Sequence, residues 1–274
     1  MLKALYHEQY PWQNALHRLL FAGLLLATTS VFAHPQEAPW LDKLYIERSF
    51  YDIALQAEYP FERIPPVVKR WTRPLRVWVY SGAGNAKQQR ALLESHMHRL
   101  GRLTGLPVQF VERRRDANVN VFFAADDELQ ALTTREMSAT AFRELKNSVC
   151  LGTIRFNRRS EITHGTVLIP VQRAQALGKL DACIVEEVTQ MLGLINDSRT
   201  VQHTVFSDLT DDDELTALDY LLIKLLYSPY LRSGMNVREA APLVRHQLDI
   251  WELTGEIREA DRLVESSAMR LAGR

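Results

Sequence analysis

Residues 180–193 constrain the fold of this 274-residue chain more than any other stretch. Leu180, Ile184, Val188 and Met191 recur at helical spacing, so 179–192 reads as a helix with one buried face. Glu186 and Gln190 are four positions apart and point the same way, and Glu187 lies beside them. Gly193 follows, a residue type that ends helices at positive φ. A chain reversed there can return Asn196 and Asp197 toward the carboxylates. The segment therefore predicts a polar cluster held against a core. In that cluster at least one glutamate should be raised in pKa by burial and by its like-charged neighbour.

Cys183 precedes the glutamates by one helical turn, and Cys150 is the only other cysteine. Whether they pair depends on the compartment. Lys3 and Arg18 precede a short apolar run over 19–27, and Val31-Phe32-Ala33 fits a small-residue cleavage site. Export to the periplasm or the medium is expected, with cleavage after Ala33; an uncleaved anchor is the competing reading. The run is short for a membrane span, and no other segment reaches that length, so no span is expected after cleavage. Export favours a Cys150–Cys183 disulfide over two buried thiols. In the chain-entropy account such a bridge contributes about 3–4 kcal/mol.

Charge argues against nucleic acid. Basic and acidic residues number 33 each, and losing Lys3, Arg18 and Glu8 with a leader shifts the balance by one negative charge. Such a chain has no electrostatic footprint for a phosphate backbone. Arg113-Arg114-Arg115 and Arg158-Arg159 read as solvated loop ends.

The remaining pattern divides the chain into a leader at 1–33, an N-terminal segment with one helix at 34–74, a domain at 75–235 and a helical extension at 236–274. Residues 34–42 read as a flexible start. Residues 45–58 carry Tyr45, Phe50, Ile53, Ala54 and Ala57 at helical spacing, before Pro60, Pro65 and Pro66. Strands are predicted at 75–80, 108–112, 119–123, 153–157 and 166–170. A helix with Leu92, Leu93, Met97, Leu100 and Leu103 on its apolar stripe is predicted at 86–104, capped by Gly105. Residues 125–149 read as irregular with some helix. After the helix at 179–192 comes a loop of about twenty residues, long enough to be a candidate functional loop. Thr216 and Asp219 then form a capping-box start for a helix that Pro229 stops. Two amphipathic helices are expected over 237–272.

The segment Glu186-Glu187-Val188-Thr189-Gln190-Met191-Leu192-Gly193 and its continuation through Asn196-Asp197 resembles the zinc-binding frame of metzincin peptidases, H-E-x-x-H-x-x-G-x-x-H. Glu186, Gln190 and Asn196 (or Asp197) stand at the ligand positions, Glu187 at the general base, and Gly193 keeps the turn. Thr204-Val205-Phe206-Ser207-Asp208 looks like the family's Met-turn, with Phe206 in the methionine position. Leu215-Thr216-Ala217-Leu218-Asp219 is similar to the start of its final helix. The resemblance covers roughly 75–228. It implies an α+β fold with a metzincin-like core, a twisted mixed five-stranded sheet with one antiparallel edge strand, the motif helix beneath it, and extra N- and C-terminal helices. A closer resemblance is to an uncharacterised family of secreted bacterial proteins, domain of unknown function 2927. Its pattern is matched at 183–197, 206–208, 215–219 and 226–235.

The substitutions at the ligand positions argue against the usual chemistry. Catalytic zinc takes neutral imidazoles and an open position; a carboxylate and two amides are poor zinc ligands. No zinc is expected, and no cofactor. Oxygen-only coordination of calcium, magnesium or manganese by Glu186, Gln190 and Asn196 is the alternative. The leading expectation is a hydrogen-bonded polar cluster in a catalytically degenerate peptidase relative that binds a peptide or cell-envelope component. The alternatives are a hydrolase using Glu187 as base, with a hard metal or none, and a purely structural envelope protein. Among the histidines, His96 and His98 read as surface groups on a helix, His164 as a turn residue, and His203 as a loop residue within reach of the motif helix. The acidic residues Asp208, Asp211, Asp212, Asp213 and Glu214 lack the spacing of a calcium loop. Ser207 and Thr189 have no triad partners.

Overall fold

A computed structural model describes residues 38–56, 65–207 and 212–269; the leader, and with it the expected cleavage site, lies outside them. Helix α1 (Lys43–Leu55) starts where the Asp42 side chain accepts from the amides of Leu44 and Tyr45. Residues 39–41, expected to be flexible, form a 3-10 turn leading into it. Next come β1 (Arg70–Trp71), β2 (Leu75–Ser81), α2 (Ala86–Thr104), β3 (Val108–Phe110) and β4 (Val119–Ala124). Two short helices, α3 (Leu129–Glu136) and α4 (Ala139–Leu145), occupy the region read as irregular. Strands β5 (Leu151–Phe156) and β6 (Glu161–Pro170), then α5 (Val171–Ala176) and α6 (Leu180–Gln190), complete the central part. After the long loop come α7 (Ala217–Leu226), α8 (Val237–Thr254) and α9 (Ala260–Met269).

The strands form one six-stranded sheet in which β3, β2, β4 and β6 are parallel neighbours, β1 pairs parallel to the start of β6, and β5 pairs antiparallel with β6. Helices and strands alternate and the sheet is mostly parallel, so the architecture is mixed α/β. The sequence reading had five strands; β1 is the sixth. It has only two residues, and tertiary pairing, not local pattern, makes it a strand. Strand β6 starts five residues earlier than expected, which puts His164 opposite Arg155 in the ladder and not in the turn.

Parallel strands are covered on both faces, and alternation in β4 shows how. Val119, Val121 and Phe123 enter the main core with Leu93, Met97 and Leu100 of α2 and Val188 of α6. Phe122 and Ala124 turn to the other face, into a second cluster with Leu129, Leu132, Ala141, Leu145, Leu151 and Leu168. Helix α6 is thus buried between the sheet and the helices around it.

The end of α6 is fixed by three contacts. Trp71 Nε1 donates to the Met191 carbonyl at 2.8 Å. Tyr227 Oη donates to the Leu192 carbonyl at 2.9 Å, so two carbonyls past the helix end are satisfied from elsewhere in the chain. Gly193 has φ +116°, and a Cβ there would lie 2.0 Å from the Lys69 carbonyl oxygen. Only glycine fits that conformation and that approach.

Candidate functional site

The candidate site lies where α6 passes under the edge strand β5. A Cys150–Cys183 disulfide, with Cα atoms 5.9 Å apart, ties the residue before β5 to the first turn of α6. One turn further on, the buried Glu187 carboxylate comes against Gly152 of β5. A Cβ on Gly152 would lie 2.7 Å from Glu187 Oε2 and 3.4 Å from the Glu187 carbonyl oxygen. The missing side chain is what lets the strand rest on the glutamate. Gly152 lay one residue outside the strand expected from the sequence, so its close approach to α6 was not read there.

Gln190 is buried and its Nε2 donates to Asp197 Oδ1. The turn at Gly193 therefore brings the first amide of the motif and the last acid together. Asn196 faces another element. Its backbone N–H donates to the Ile53 carbonyl and its Nδ2 to the Asp52 carbonyl, both at 3.1 Å. It thus closes two of the open carbonyls in the last turn of α1. Ser198 extends the same seam, its Oγ donating to Asp52 Oδ2. Glu186 is half-buried one position before Glu187.

Phe206 is fully buried in the main core, and its carbonyl accepts from Ser198 N–H at 2.8 Å, closing the long loop on itself. Asp219 is fully buried. It accepts from Thr204 Oγ1, from the Val205 N–H at 3.2 Å, and from the Thr216 N–H at 2.9 Å and Oγ1 at 3.0 Å. Burial pushes its carboxyl up to about 6, against the pull of those donors. The capping box expected at Thr216 and Asp219 is present, and it also anchors the loop at 204–205.

Besides His164, His96 differs from its sequence reading. His96 is buried, not at the surface. Its Nε2 lies 2.9 Å from Thr189 Oγ1, and that hydroxyl donates to the Val185 carbonyl at 2.6 Å. With the hydroxyl proton so engaged, Nε2 carries the ring proton and donates. Burial, then the nearby Arg99 charge, push His96 down to about 3, so the ring is neutral. Leu92 and Leu100 lie four positions either side of it, a spacing that places His96 on the buried stripe. His203 has φ +57° and stacks on Trp40, ring centroids 3.5 Å apart.

Zinc does not fit these residues. The motif offers one carboxylate and two neutral amides where imidazoles would be needed. The Asn196 amide nitrogen is bonded to α1 and the Gln190 amide nitrogen to Asp197. Among the described residues, no group of three or more His, Cys, Asp or Glu side chains is placed to hold a metal ion. Of the acidic run, Asp208 and Asp211 lie outside the described residues, and Asp213 pairs with Lys179 at 2.8 Å. No helix of the described residues is long and apolar enough to cross a membrane.

Residues 43–246 match the family described as Protein of unknown function (DUF2927). No curated protein matches. The family match spans well over half of the sequence, and the chain belongs to that family.

Proposed function

We propose that this DUF2927 protein is an exported, zinc-free and catalytically degenerate relative of the metzincin peptidases that binds an extended peptide of a cell-envelope component along β5. The observation that carries the reading is the placement of β5. It is the one antiparallel strand of an otherwise parallel sheet, it bonds only β6 among the described residues, and it lies on Glu187 at Gly152. An extended peptide can add to such an edge through its own backbone, with pockets beside the strand reading alternate side chains. Glu187 offers a carboxylate against that edge, and the bonded pair Gln190 and Asp197 follows on the same helix and its turn. The strand order, the helix with its Glu-Glu-x-x-Gln-x-x-Gly run and the capped helix α7 support the metzincin relationship. The disulfide supports an oxidising compartment.

A buried glutamate beside a strand edge is also where a general base could act, so binding and cleavage are tested on one preparation. The purified mature chain is assayed for metal content, for binding to an array of extended peptides and for peptide cleavage, alongside Glu187→Gln. The expected result is saturable peptide binding with no stoichiometric zinc and no cleavage. Cleavage abolished by Glu187→Gln would replace the reading with a hydrolase. Absence of both binding and cleavage would leave a structural envelope protein.

A further inference from the structure

A second cleft lies on the opposite flank of α6 from β5. It is open to solvent and lined by Leu92, Ser95, His96 and Arg99 of α2, Asp181, Ile184 and Val185 of α6, Glu214 before α7 and Ala268 of α9. Its chemistry has three parts. At its base, Arg99 is only 5% exposed. Its Nε donates to Ser267 Oγ at 2.8 Å and its Nη2 to the Val264 carbonyl at 2.9 Å. Nη1 reaches only Glu214 Oε2, at a long 3.4 Å. A guanidinium has five N–H groups, so two of them have no partner among the described residues. The Glu214 side chain is 79% exposed, so its pairing with Arg99 is a loose contact that a better-placed carboxylate can displace. The second part is the pair of carboxylates at the rim, Asp181 and Glu214, both exposed. The third is an aliphatic wall of Leu92, Ile184, Val185 and Ala268.

We infer that this cleft binds a free aliphatic α-amino acid, its carboxylate on Arg99, its ammonium between Asp181 and Glu214, and its side chain against Leu92, Ile184 and Val185. Arginine suits the first role because its planar fork matches a carboxylate with two parallel bonds. The two rim acids should make a plain anion the poorer ligand, since it would meet like charge at the mouth. His96 adds no charge and offers only a neutral ring to the wall. Burial works against the Arg99 charge, and a bound carboxylate offsets that cost. The site shares no residue with the β5 edge, and its test is independent of peptide binding.

Isothermal titration of the mature chain with leucine, isoleucine and valine tests the inference, with N-acetylleucine and leucinamide as controls that remove one charge each. Leucine is expected to bind with a dissociation constant on the order of 0.1 mM, a modest affinity for a ligand of that size. Each control should bind about tenfold or more weakly. Arg99 bonds α9, and its replacement can loosen the fold, so the informative variant is Asp181→Asn with Glu214→Gln. Both side chains are exposed, and losing the loose Arg99–Glu214 pair and the Asp181 charge in the first turn of α6 should lower the unliganded melting temperature only slightly, while leucine binding weakens by about tenfold or more. No saturable heat with any of the three amino acids up to roughly 10 mM would overturn the site. So would equal binding of N-acetylleucine and leucine, or a double variant that binds as the parent does.

Discussion

Gly193 and Gly152 are both glycines that meet another part of the chain, and they should respond differently to a methyl group. At Gly193 the added carbon would strike the Lys69 backbone at 2.0 Å in a conformation with φ +116°. Neither the φ value nor the buried Lys69 backbone yields cheaply, so Gly193→Ala is expected to cost on the order of 3 kcal/mol or to prevent folding. Urea denaturation measures this, and a loss under about 1 kcal/mol would show the turn to be adaptable. At Gly152 the nearest atom is the far end of the Glu187 side chain, at 2.7 Å. That carboxylate can rotate away. Gly152→Ala should cost roughly 1 kcal/mol or less and weaken peptide binding at β5 by displacing Glu187. An unfolded Gly152→Ala protein would mean that Glu187 has nowhere to go. The role of Gly193 was legible in the sequence because a helix stop is a local property. The role of Gly152 depends on which helix lies over the strand, and local pattern does not carry that.

Among the elements, the legible ones were those whose ends are written in neighbouring residues. Helix α2 runs from an Asn85 cap to Gly105 with φ +74°, and α7 opens on its capping box. Strand β1 was missed because its two residues are a strand only through pairing with the start of β6, and the extra half of β6 because its partners, β1 and β5, lie elsewhere in the chain. His96 and Arg99 were missed for a related reason. Charged and titratable residues on an amphipathic helix default to the solvent face, but α6 and α9 pack over that side of α2. In the candidate site, Gln190 and Asp197 met as the Gly193 turn suggested, whereas Asn196 was drawn to α1, an element too distant in sequence for the motif to anticipate. The disulfide joins β5 to α6 across 33 positions. A Cys150→Ser, Cys183→Ser variant should lose about 3 kcal/mol of stability. The loss should be local as well as global: in hydrogen exchange the β5 amides should open before those of β2 and β4, which lie inside the sheet. Uniform protection across the sheet in that variant would show that β6 alone holds β5.

For the whole molecule, two buried groups with opposite shifts, His96 and Asp219, contribute opposing slopes to stability between pH 4 and 6. His96 is held down to about 3 against an ordinary 6.5. Its folded form therefore refuses a proton that the unfolded chain accepts, and stability is lost as pH falls from 6.5 toward 3. Asp219 is raised to about 6 from an ordinary 3.8. Its folded form holds a proton that the unfolded chain releases, so its contribution is complete below pH 3.8 and is lost as pH rises toward 6. Each slope can reach about 1.4 kcal/mol per pH unit. The two oppose each other between roughly pH 4 and 6, and neither contributes a slope above about 6.5. The parent protein should therefore show a shallow profile from these two groups over pH 4–6, steepening below 4, where His96 is joined by Glu136, whose carboxyl the bonds from Arg114 and Arg135 hold below its ordinary value despite burial. Removing either group uncovers the other. His96→Gln should be relatively more stable at pH 4 than at pH 6, because Asp219 is left uncompensated. Asp219→Asn should lose stability across the same interval, apart from the fixed cost of its damaged cap. The comparison uses the slope of unfolding free energy with pH, measured by chemical denaturation, and not its absolute level. Parallel profiles for the parent and both variants would mean that neither group changes protonation on unfolding in that range. The neutral ring between α2 and α6 and the buried acid in the first turn of α7 would then be matters of packing alone.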